Sequence, residues 1–208
     1  MSSIEIPVIA GDGIGPEITA AVLKVVDAAV EQNGESLSWV PVTAGLSALE
    51  EGSDLIPQRT LDEISRCGVA LKGPCTTPVG EGFTSINVKL RKTFNLYAAV
   101  RPVRSMPGVQ TRYQDVDLII IRENTEGLYS GVENEVTPGV VMSMKVASKE
   151  ACQRIATRAF RFANRRDRKK VTVLHKANIM KLTDGLFLKC AADVHAVDYP
   201  NIAFESTI

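Results

Sequence analysis

The sequence predicts an α/β protein with a substantially parallel sheet. Short apolar runs typical of β-strands alternate along the chain with segments whose apolar residues recur at helical spacing. At 208 residues, 45% apolar and 23% charged, the chain is long enough to bury one large core or two small ones. No repeat, low-complexity tract or flexible linker interrupts the pattern. We therefore expect an ordered chain in which strands and helices take turns.

The first predicted unit is a strand, a tight loop and a helix. Ile4 to Ala10 is a short, largely β-branched run that leads into the loop Gly11 to Gly15, and apolar residues then recur at helical spacing from Ile18 to Ala29. Pro16 suits a first helical turn, and Gly34 suits a left-handed C-terminal cap. The loop spacing is G-x-G-x-G rather than the G-x-G-x-x-G of dinucleotide-binding turns, so we favour a tight-turn role over pyrophosphate binding.

The remaining elements follow the same two periodicities. Further strands are predicted at Val69 to Leu71, Leu96 to Val100, Val116 to Ile121, Val171 to Leu174 and Ile202 to Phe204. Helical spacing is found at Leu61 to Ile64, Asn87 to Arg91, Cys152 to Ala163 and Leu182 to Val194. The segment from Val132 to Lys145 fits neither alternation, and we interpret it as an irregular or antiparallel excursion.

The clearest helix is predicted from Ser148 to Arg165. Its apolar side chains form a single stripe, made of Cys152, Ile155, Ala156, Ala159, Phe160 and Ala163. Ser148 is a favourable N-cap, and the arginines off the stripe suit the negative end of the helix dipole. One face of this helix should therefore be buried.

Composition argues against two classes of partner. Lys plus Arg equals Asp plus Glu, at 24 each, so no net charge recruits nucleic acid or an anionic membrane. The basic stretch from Arg161 to Lys170 lacks the aromatic residues on which bases stack, so we interpret it as a solvated helix end. Nowhere do about 18 apolar residues follow one another, as a membrane-spanning helix requires. We expect neither nucleic acid nor a membrane as partner.

Cysteine and histidine spacing gives no metal site. The four cysteines include no C-x-x-C pair, which argues for reduced thiols rather than a zinc knuckle or a disulfide framework. The two histidines, His175 and His195, are not spaced as a helical metal pair; we expect a structural role for His195. The start of the chain lacks the basic and apolar regions of a signal peptide. We therefore expect a soluble, cytoplasmic protein.

Cations follow several predicted strands. Arg101, Arg122 and Lys176 each come at the end of one, and Arg91 lies on the helix that precedes Arg101. Open α/β sheets bind ligands at the carboxyl ends of their strands, so we expect these cations to converge there. A charge-assisted hydrogen bond contributes about 1.5 to 3 kcal/mol, and arginine forks match carboxylates, so the set could hold a di- or tricarboxylate. The alternative is that each arginine pairs with a nearby acid such as Glu123.

Six segments of the chain carry a resemblance to a known family. In chain order they are Ile9 to Glu17 (IAGDGIGPE), Leu71 to Val79 (LKGPCTTPV), Ser85 to Arg91 (SINVKLR), Leu96 to Pro102 (LYAAVRP), Ile121 to Gly127 (IRENTEG) and Lys176 to Lys181 (KANIMK). Together they resemble the isocitrate and isopropylmalate dehydrogenase family, and NAD-dependent isocitrate dehydrogenase most closely. The match covers essentially the whole chain, and several motifs in the same order are far more specific than any one alone.

The resemblance implies a clamp for the substrate carboxylates. In the family pattern Arg91, Arg101 and Arg122 bind these groups, which favours function over local ion pairing for the three arginines. Ser85 and Asn87 match the pair that meets the distal carboxylate of isocitrate. Polar residues in this place favour isocitrate, because isopropylmalate enzymes present apolar groups there to a branched alkyl chain.

The resemblance also implies an acid–base pair. Tyr129 is expected to protonate the enolate carbon after decarboxylation, and Lys176 is expected to assist deprotonation of the substrate hydroxyl. In the family these two residues meet across a dimer interface, which implies a homodimer or a larger homo-oligomer.

Cofactor, metal and domain organisation are implied by the same resemblance. Lys72, Thr76, Thr77 and Asn178 match positions on the nicotinamide side of the cofactor, which is NAD or, alternatively, NADP. Mg²⁺ or Mn²⁺ would stabilise the enolate. Its aspartate ligands and the adenine-binding loop are expected beyond the position of Ile208, so no metal ligand is expected within these residues. The implied fold is a two-domain, non-Rossmann α/β architecture without its C-terminal part, with residues 1–98 in the large cofactor-binding domain and 99–208 in the small domain.

The sequence thus predicts oxidative decarboxylation of isocitrate, a 2-hydroxy tricarboxylate, to 2-oxoglutarate. Without the metal ligands, we expect the 208 residues alone to be inactive. The alternatives are a homoisocitrate, isopropylmalate or tartrate dehydrogenase relative, or a non-catalytic subunit that serves as an interaction module.

Overall fold

The protein is described here by a computed structural model, which covers residues 4–76 and 85–208. These residues divide into two compact units, and the boundary lies between Leu90 and Arg91. The elements of the first unit are β1 (Ile4–Ile9), α1 (Gly15–Glu31), β2 (Leu37–Val42), α2 (Leu46–Glu50), α3 (Gln58–Cys67), β3 (Leu71–Lys72) and the start of α4 (Ile86–Thr93). Those of the second are the end of α4 and then β4 (Ala98–Arg104), β5 (Asp117–Glu123), β6 (Gly127–Thr137), β7 (Val140–Val146), α5 (Lys149–Arg165), β8 (Lys170–Leu174), α6 (Thr183–Asp198) and β9 (Ala203–Thr207).

The described strands of the first unit form a parallel sheet in the order β2-β1-β3. Strand β2 had no counterpart among the predicted strands. Its sequence, Leu-Ser-Trp-Val-Pro-Val, carries Pro41 near its end, and proline cannot donate a hydrogen bond to a neighbouring strand. The position of β2 at one side of this sheet accommodates that proline. The strand predicted at residues 69–71 begins two residues later in the structure, as β3.

The glycine loop between β1 and α1 is shaped by close backbone packing. A Cβ atom on Gly11 would lie 1.7 Å from the carbonyl oxygen of Pro74, and one on Gly15 would lie 2.5 Å from the same oxygen. The amide of Asp12 donates to that carbonyl at 3.1 Å. The loop therefore holds the segment after β3 against the end of β1, a contact that larger residues would prevent. This agrees with the tight-turn interpretation of the glycines.

In the second unit only one of the described strand pairs is parallel. Strands β8 and β9 run parallel, whereas β4 pairs with β5, and β6 with β7, in antiparallel fashion. The expectation of a substantially parallel sheet is therefore wrong for this unit. Parallel strands need a long crossover, usually a helix, and no helix separates Arg104 from Asp117. The excursion expected from Val132 to Lys145 is confirmed as the antiparallel pair β6–β7.

The core of the second unit lies between α5, α6 and the β8–β9 pair. Its buried cluster consists of Ala156, Phe160, Ala163, Val173, Ala191, Val194 and Ile202. Phe160 is fully buried, and its ring stacks on Tyr199 with centroids 5.6 Å apart. His195 also packs against Phe160, and its Nε2 lies 2.8 Å from the carbonyl oxygen of Ile202. His195 is thus held in the core, as expected for a structural histidine.

Helix α5 begins and buries itself as the sequence predicts. Ser148 is its N-cap, and the Ser148 hydroxyl accepts a hydrogen bond from the Ala151 amide at 3.1 Å. Five of the six predicted stripe residues are buried: Cys152, Ile155, Ala156, Phe160 and Ala163. None of the helices in the described part of the chain is long and apolar enough to cross a membrane.

The pair β6–β7 forms a two-stranded ribbon, hereafter the arm, from Gly127 to Val146. Val132 faces Met144 in the register, and Asn134 faces Met142. Because side chains alternate along a strand, Val132, Met142 and Met144 share one face of the arm, and all three are well exposed. Lys145 lies on the opposite face.

Candidate functional site

The β4–β5 register brings two of the predicted substrate arginines onto one face. Arg101 is opposite Ile120, and Arg122 is opposite Ala99. The two arginines are therefore diagonal neighbours on the same side of the pair, at about 7 to 8 Å in a regular ladder. Neither ends a parallel strand: Arg101 lies in the middle of β4, and the two strands run in opposite directions. The expected convergence at a common carboxyl edge is wrong for this pair, and antiparallel register brings the residues together instead.

Tyr129 lies beside two cations. The guanidinium carbon of Arg122 is 5.4 Å from the centre of the Tyr129 ring, and that of Arg91 is 6.0 Å from it. Tyr129 is on β6, in the irregular stretch between Gly127 and Val132 where the register of the arm shifts. The aromatic face attracts both guanidinium groups. Tyr129, the predicted acid, therefore lies next to two of the arginines predicted to bind the substrate carboxylates.

Nearby carboxylates are engaged elsewhere. Glu123 accepts hydrogen bonds from the Thr125 and Glu126 amides, at 2.8 and 2.7 Å. Glu126 in turn accepts from the amide and hydroxyl of Ser148, at 2.7 and 2.6 Å. Within residues 4–76 and 85–208, Arg91, Arg101 and Arg122 form no ion pair. The local pairing that the sequence left open as an alternative is therefore absent from the described residues.

A neutral partner orients Arg122. Its Nε and Nη2 donate to the Asn124 side-chain oxygen, at 3.2 and 3.1 Å. Asn124 is buried, and its main-chain N–H donates to the Tyr97 carbonyl oxygen at 2.8 Å. A fixed guanidinium whose charge is not cancelled by a neighbour is well suited to bind an anion.

Helix α4 carries the next predicted residues. Ser85 immediately precedes the helix, and its carbonyl oxygen accepts from the Lys89 amide at 3.0 Å. Asn87 and Arg91 are one helical turn apart and therefore share a face. The placement of Ser85 at the start of a helix that bears Asn87 and Arg91 agrees with the sequence prediction.

On the predicted cofactor side, Asp12 organises the loop after β3. Its carboxylate accepts from the Thr76 amide through one oxygen and from the Leu46 amide, at 3.1 Å, through the other. Lys72 lies in β3, and its Nζ donates to the Gly73 carbonyl oxygen at 2.7 Å. The structure thus brings Lys72 and Thr76 into one organised segment; Thr77 lies outside the described residues.

The ionisation of Asp12 reflects these contacts. Burial raises the pKa of Asp12, but hydrogen bonds from Thr76 and Leu46 and the charge of Lys72 outweigh it, so the pKa lies below its ordinary value. Asp12 is therefore a carboxylate at neutral pH. Sequence analysis missed this role, although an acidic side chain inside a glycine loop was a signal that could have revealed it.

Lys176 and Asn178 follow β8, and both are exposed. The amide of Lys176 donates at 2.7 Å to Oδ2 of Asp184, which is buried at the start of α6. The position of Lys176 just after a parallel strand agrees with prediction. Asp184 was not foreseen, because an isolated aspartate in a helical pattern gives no local signal.

The described residues do not supply a metal site. No group of three or more His, Cys, Asp or Glu side chains is arranged to hold a metal ion in residues 4–76 and 85–208. A hard divalent cation needs several oxygen ligands, so these residues alone do not fit one.

Comparison with known proteins identifies relatives. The family described as Isocitrate/isopropylmalate dehydrogenase matches residues 5–208. The probable mitochondrial isocitrate dehydrogenase [NAD] subunit alpha of Drosophila melanogaster is 50% identical over 202 residues, which cover 97% of this chain and 52% of that protein. The chloroplastic 3-isopropylmalate dehydrogenase of Solanum tuberosum is 46% identical over 201 residues, covering 95% and 54%.

A solved structure supports the same relationship. The crystal structure of isocitrate dehydrogenase from Methylococcus capsulatus has a TM-score of 0.89 and 44% sequence identity, and the match covers 98% of this chain and 60% of that one. The chain therefore spans about half the length of the relatives it matches.

The comparisons bear on the expected location of the protein and on its expected self-association. The cytoplasmic location is wrong: the isocitrate dehydrogenase relatives from Drosophila and Arabidopsis thaliana are named as mitochondrial. Unpaired cysteines and the lack of long apolar segments are common to proteins of both compartments, so these features could not distinguish the mitochondrion from the cytoplasm.

The homodimer is not confirmed, since a relative from Dictyostelium discoideum, 45% identical over 201 residues (97% of this chain, 54% of that protein), is named a regulatory subunit.

Proposed function

Since the chain belongs to the isocitrate/isopropylmalate dehydrogenase family, we propose that the complete protein oxidatively decarboxylates isocitrate to 2-oxoglutarate, with NAD or NADP and Mg²⁺ or Mn²⁺. By the complete protein we mean a chain of the length of its relatives that contains these 208 residues. Relatives from Drosophila melanogaster, Arabidopsis thaliana and Caenorhabditis elegans are named as isocitrate dehydrogenase [NAD] subunits, which supports this substrate.

The observation that carries the proposal is the arginine cluster. Arg101 and Arg122 share one face of the β4–β5 pair, Arg91 and Arg122 lie over the Tyr129 ring, and none of them forms an ion pair within the described residues. Three uncompensated guanidinium groups repel one another, and a polycarboxylate relieves that repulsion. Ser85 and Asn87 on the α4 segment are proposed to meet the distal carboxylate.

The chain's own residues would then move two protons. Lys176 is proposed to accept the proton of the substrate hydroxyl, which makes the alcohol carbon a hydride donor. Oxidation gives a β-keto acid, and loss of carbon dioxide leaves an enolate, to which Tyr129 returns a proton at carbon. The arginines hold the carboxylates in place throughout and so orient the carbon that reacts.

Cofactor contacts are proposed for Lys72, Thr76, Thr77 and Asn178. The exposed hydroxyl of Thr76 and the exposed amide of Asn178 are of a type that pairs with a carboxamide such as that of nicotinamide. When bound, the cofactor supplies the hydride acceptor. We also propose that residues 1–98 belong to a larger cofactor-binding domain and 99–208 to a smaller one, in a two-domain, non-Rossmann fold.

The metal, by contrast, does not fit the described residues on their own. We propose that its carboxylate ligands come from outside them. We further propose that the complete protein acts in the mitochondrion, and that a second copy of the chain completes its active site.

The test is turnover and substrate affinity of the complete protein. We expect NAD or NADP reduction with isocitrate and Mg²⁺ or Mn²⁺. In Arg101→Gln, loss of one charge-assisted hydrogen bond should raise the KM for isocitrate by about 10- to 100-fold. Arg104→Gln is the matched control, since Arg104 lies on the same strand but pairs with Asp117 at 3.2 Å, and its KM should be unchanged. Equal effects of both substitutions would remove Arg101 from the substrate site.

A second candidate follows from two relatives. The potato 3-isopropylmalate dehydrogenase, 46% identical, and the Dictyostelium isocitrate dehydrogenase regulatory subunit, 45% identical, are nearly as similar to this chain as the Drosophila isocitrate dehydrogenase subunit alpha, 50% identical. A panel of isocitrate, homoisocitrate, 3-isopropylmalate and tartrate separates the substrates. A non-catalytic subunit would reduce neither NAD nor NADP with any of these four acids, even if it bound one of them.

A further inference from the structure

A buried carboxylate lies between the arm and the segment that carries Lys176. Asp184 is 7% exposed, and its Oδ2 accepts from the Lys176 amide at 2.7 Å. Its Oδ1 forms an ion pair with the Nζ of Lys145, which lies on β7 of the arm. One aspartate therefore joins two segments 31 residues apart in sequence, Lys145 and Lys176.

This ion pair differs from the surface pairs of the same unit. The Asp184 side chain is 10% exposed and that of Lys145 is 32% exposed, whereas Lys170 and Glu205 are 55% and 50% exposed. Removing one partner of a mostly buried pair leaves the other charge poorly solvated, which costs far more than losing a surface pair. Asp184 and Lys145 thus depend on each other.

The groups that face Asp184 come from two segments, strand β7 of the arm and the loop after β8. Burial raises the pKa of Asp184, but the hydrogen bonds from Lys145 and from the Lys176 amide, with the charges of Lys145 and His175, hold the pKa below its ordinary value. The carboxylate is thus ionised at neutral pH, which strengthens its hold on the Lys176 amide.

The arm also carries Tyr129, the acid of the proposed function, near its base. Tyr129 is on β6, and Lys145 is on β7 near the point where Val146 pairs with Gly127. Lys145 points away from the face that bears Met142 and Met144. One face of the arm is thus free to meet another surface while the other face is tied to Asp184.

We propose that Asp184 is a positioning residue for Lys176, and that its ion pair with Lys145 makes that positioning depend on the arm. The inference rests on the proposed function, in which Lys176 is the base. Asp184 fixes the main chain from which the Lys176 side chain starts, and Lys145 fixes Asp184. Displacement of the arm therefore displaces the base.

The test compares Lys145→Met, Asp184→Asn and the double variant in the complete protein. Lys145→Met leaves Asp184 without its counter-charge, and we expect kcat with isocitrate to fall about 10- to 100-fold while the KM values for isocitrate and cofactor stay within about twofold. Adding Asp184→Asn keeps an acceptor for the Lys176 amide but removes the unbalanced charge, so the double variant should recover most of the lost kcat. Lys170→Met, which removes the exposed ion pair with Glu205, should leave kcat and both KM values unchanged.

Hydrogen exchange gives a readout that needs no turnover. In Lys145→Met the amides of residues 176–180 should exchange faster than in the wild type, and Lys145→Arg, which keeps the ion pair, should restore slow exchange. Unchanged exchange and unchanged kcat in Lys145→Met would overturn the proposal, as would a fall in kcat that the double variant does not reverse. If the wild type does not oxidise isocitrate, the proposed function fails, while exchange still decides whether Lys145 holds the Lys176 segment. If Lys145→Met does not fold, Asp184→Asn takes its place, because it leaves Lys145 without its counter-charge. Its control is Asp117→Asn, which alters an exposed carboxylate paired with Arg104 and Arg168. Asp184→Asn should lower kcat and speed exchange at residues 176–180, and Asp117→Asn should change neither.

Discussion

At Tyr129 two cations share one aromatic ring, with Arg122 at 5.4 Å and Arg91 at 6.0 Å from its centre. Gathering like charges without carboxylate partners works against folding, since each guanidinium raises the energy of the other. Such an arrangement is common where a site is shaped for a ligand rather than for stability. The neutral Asn124 fixes Arg122 without cancelling its charge, and so leaves that charge free for the proposed substrate.

Asp12 makes a testable contribution at the same scale. Its pKa is lowered in the folded state, so the stability it contributes is present above its unfolded value, near 4, and is lost as pH falls below that. Asp12→Asn cannot accept from both Thr76 and Leu46 amides without turning an amide donor towards one of them. We expect a loss of about 1 to 2 kcal/mol at pH 7, with partial exposure of Asp12 reducing the effect.

Urea unfolding between pH 2.5 and pH 7 measures this contribution, and the difference between wild type and Asp12→Asn should narrow as pH falls from about 4 towards the lowered folded-state pKa of Asp12. Asp62→Asn, which alters an exposed hydrogen bond to Gln58, is the control. A difference that stays constant with pH would indicate lost packing rather than a lost charge.

Among the elements, the turn from β1 into α1 shows why the glycines are needed. Gly11 and Gly34 both have positive φ, at 84° and 72°. A Cβ on Gly11 would strike the Pro74 carbonyl, whereas a Cβ on Gly34 would meet nothing within 4 Å. The two positions share the backbone conformation and differ in the space around it.

This contrast predicts unequal effects of alanine. Gly34→Ala should cost about 1 kcal/mol, from the left-handed conformation alone. Gly11→Ala should cost more than about 3 kcal/mol, because backbone must also move away from Pro74. Free energies of unfolding from urea titration compare the two variants. Equal losses would mean that the β1–α1 turn yields easily and that the close approach to Pro74 is not needed.

Helix α5 shows how one element links core and site. Its buried stripe packs on α6, while its N-cap Ser148 also donates to Glu126, three residues before Tyr129. Glu126 is thereby bound by the start of the helix rather than by the arginines proposed to bind the substrate. Because Glu126 binds the N-terminus of α5, it does not neutralise the nearby arginines.

At the scale of the whole molecule, the apolar face of the arm calls for a partner. A two-stranded ribbon is marginally stable alone in water, and Val132, Met142 and Met144 leave 40 to 45% of their surface exposed. In the proposed dimer this face packs against the second copy. Met142→Glu should then weaken self-association of the complete protein, because a carboxylate would be buried without a counter-charge.

Sedimentation over a range of concentrations measures this effect. Met106→Glu is the control, since Met106 is 67% exposed in the loop after β4. Met142→Glu should shift the protein towards the monomer, and Met106→Glu should not. A wild type that is monomeric at all concentrations would contradict the homodimer and direct the search to a different subunit as the partner of the arm.

Local patterns in the sequence predicted several of the elements, and motif resemblance predicted the family. Periodicity and capping located α1, α5, α6 and the strand β8, because these signals act within a few residues. The roles proposed for the three arginines, Tyr129 and Lys176 came from motif resemblance. The fold was needed to show that β4 and β5 are antiparallel and that Arg101 and Arg122 therefore share a face. It was also needed to show that Asp12 and Asp184 each bind two segments distant in sequence. Asp12 reaches amides 34 and 64 residues away, and Asp184 reaches Lys145 at a separation of 39 residues. Contacts of that range depend on how segments pack, which no local pattern of residues reports.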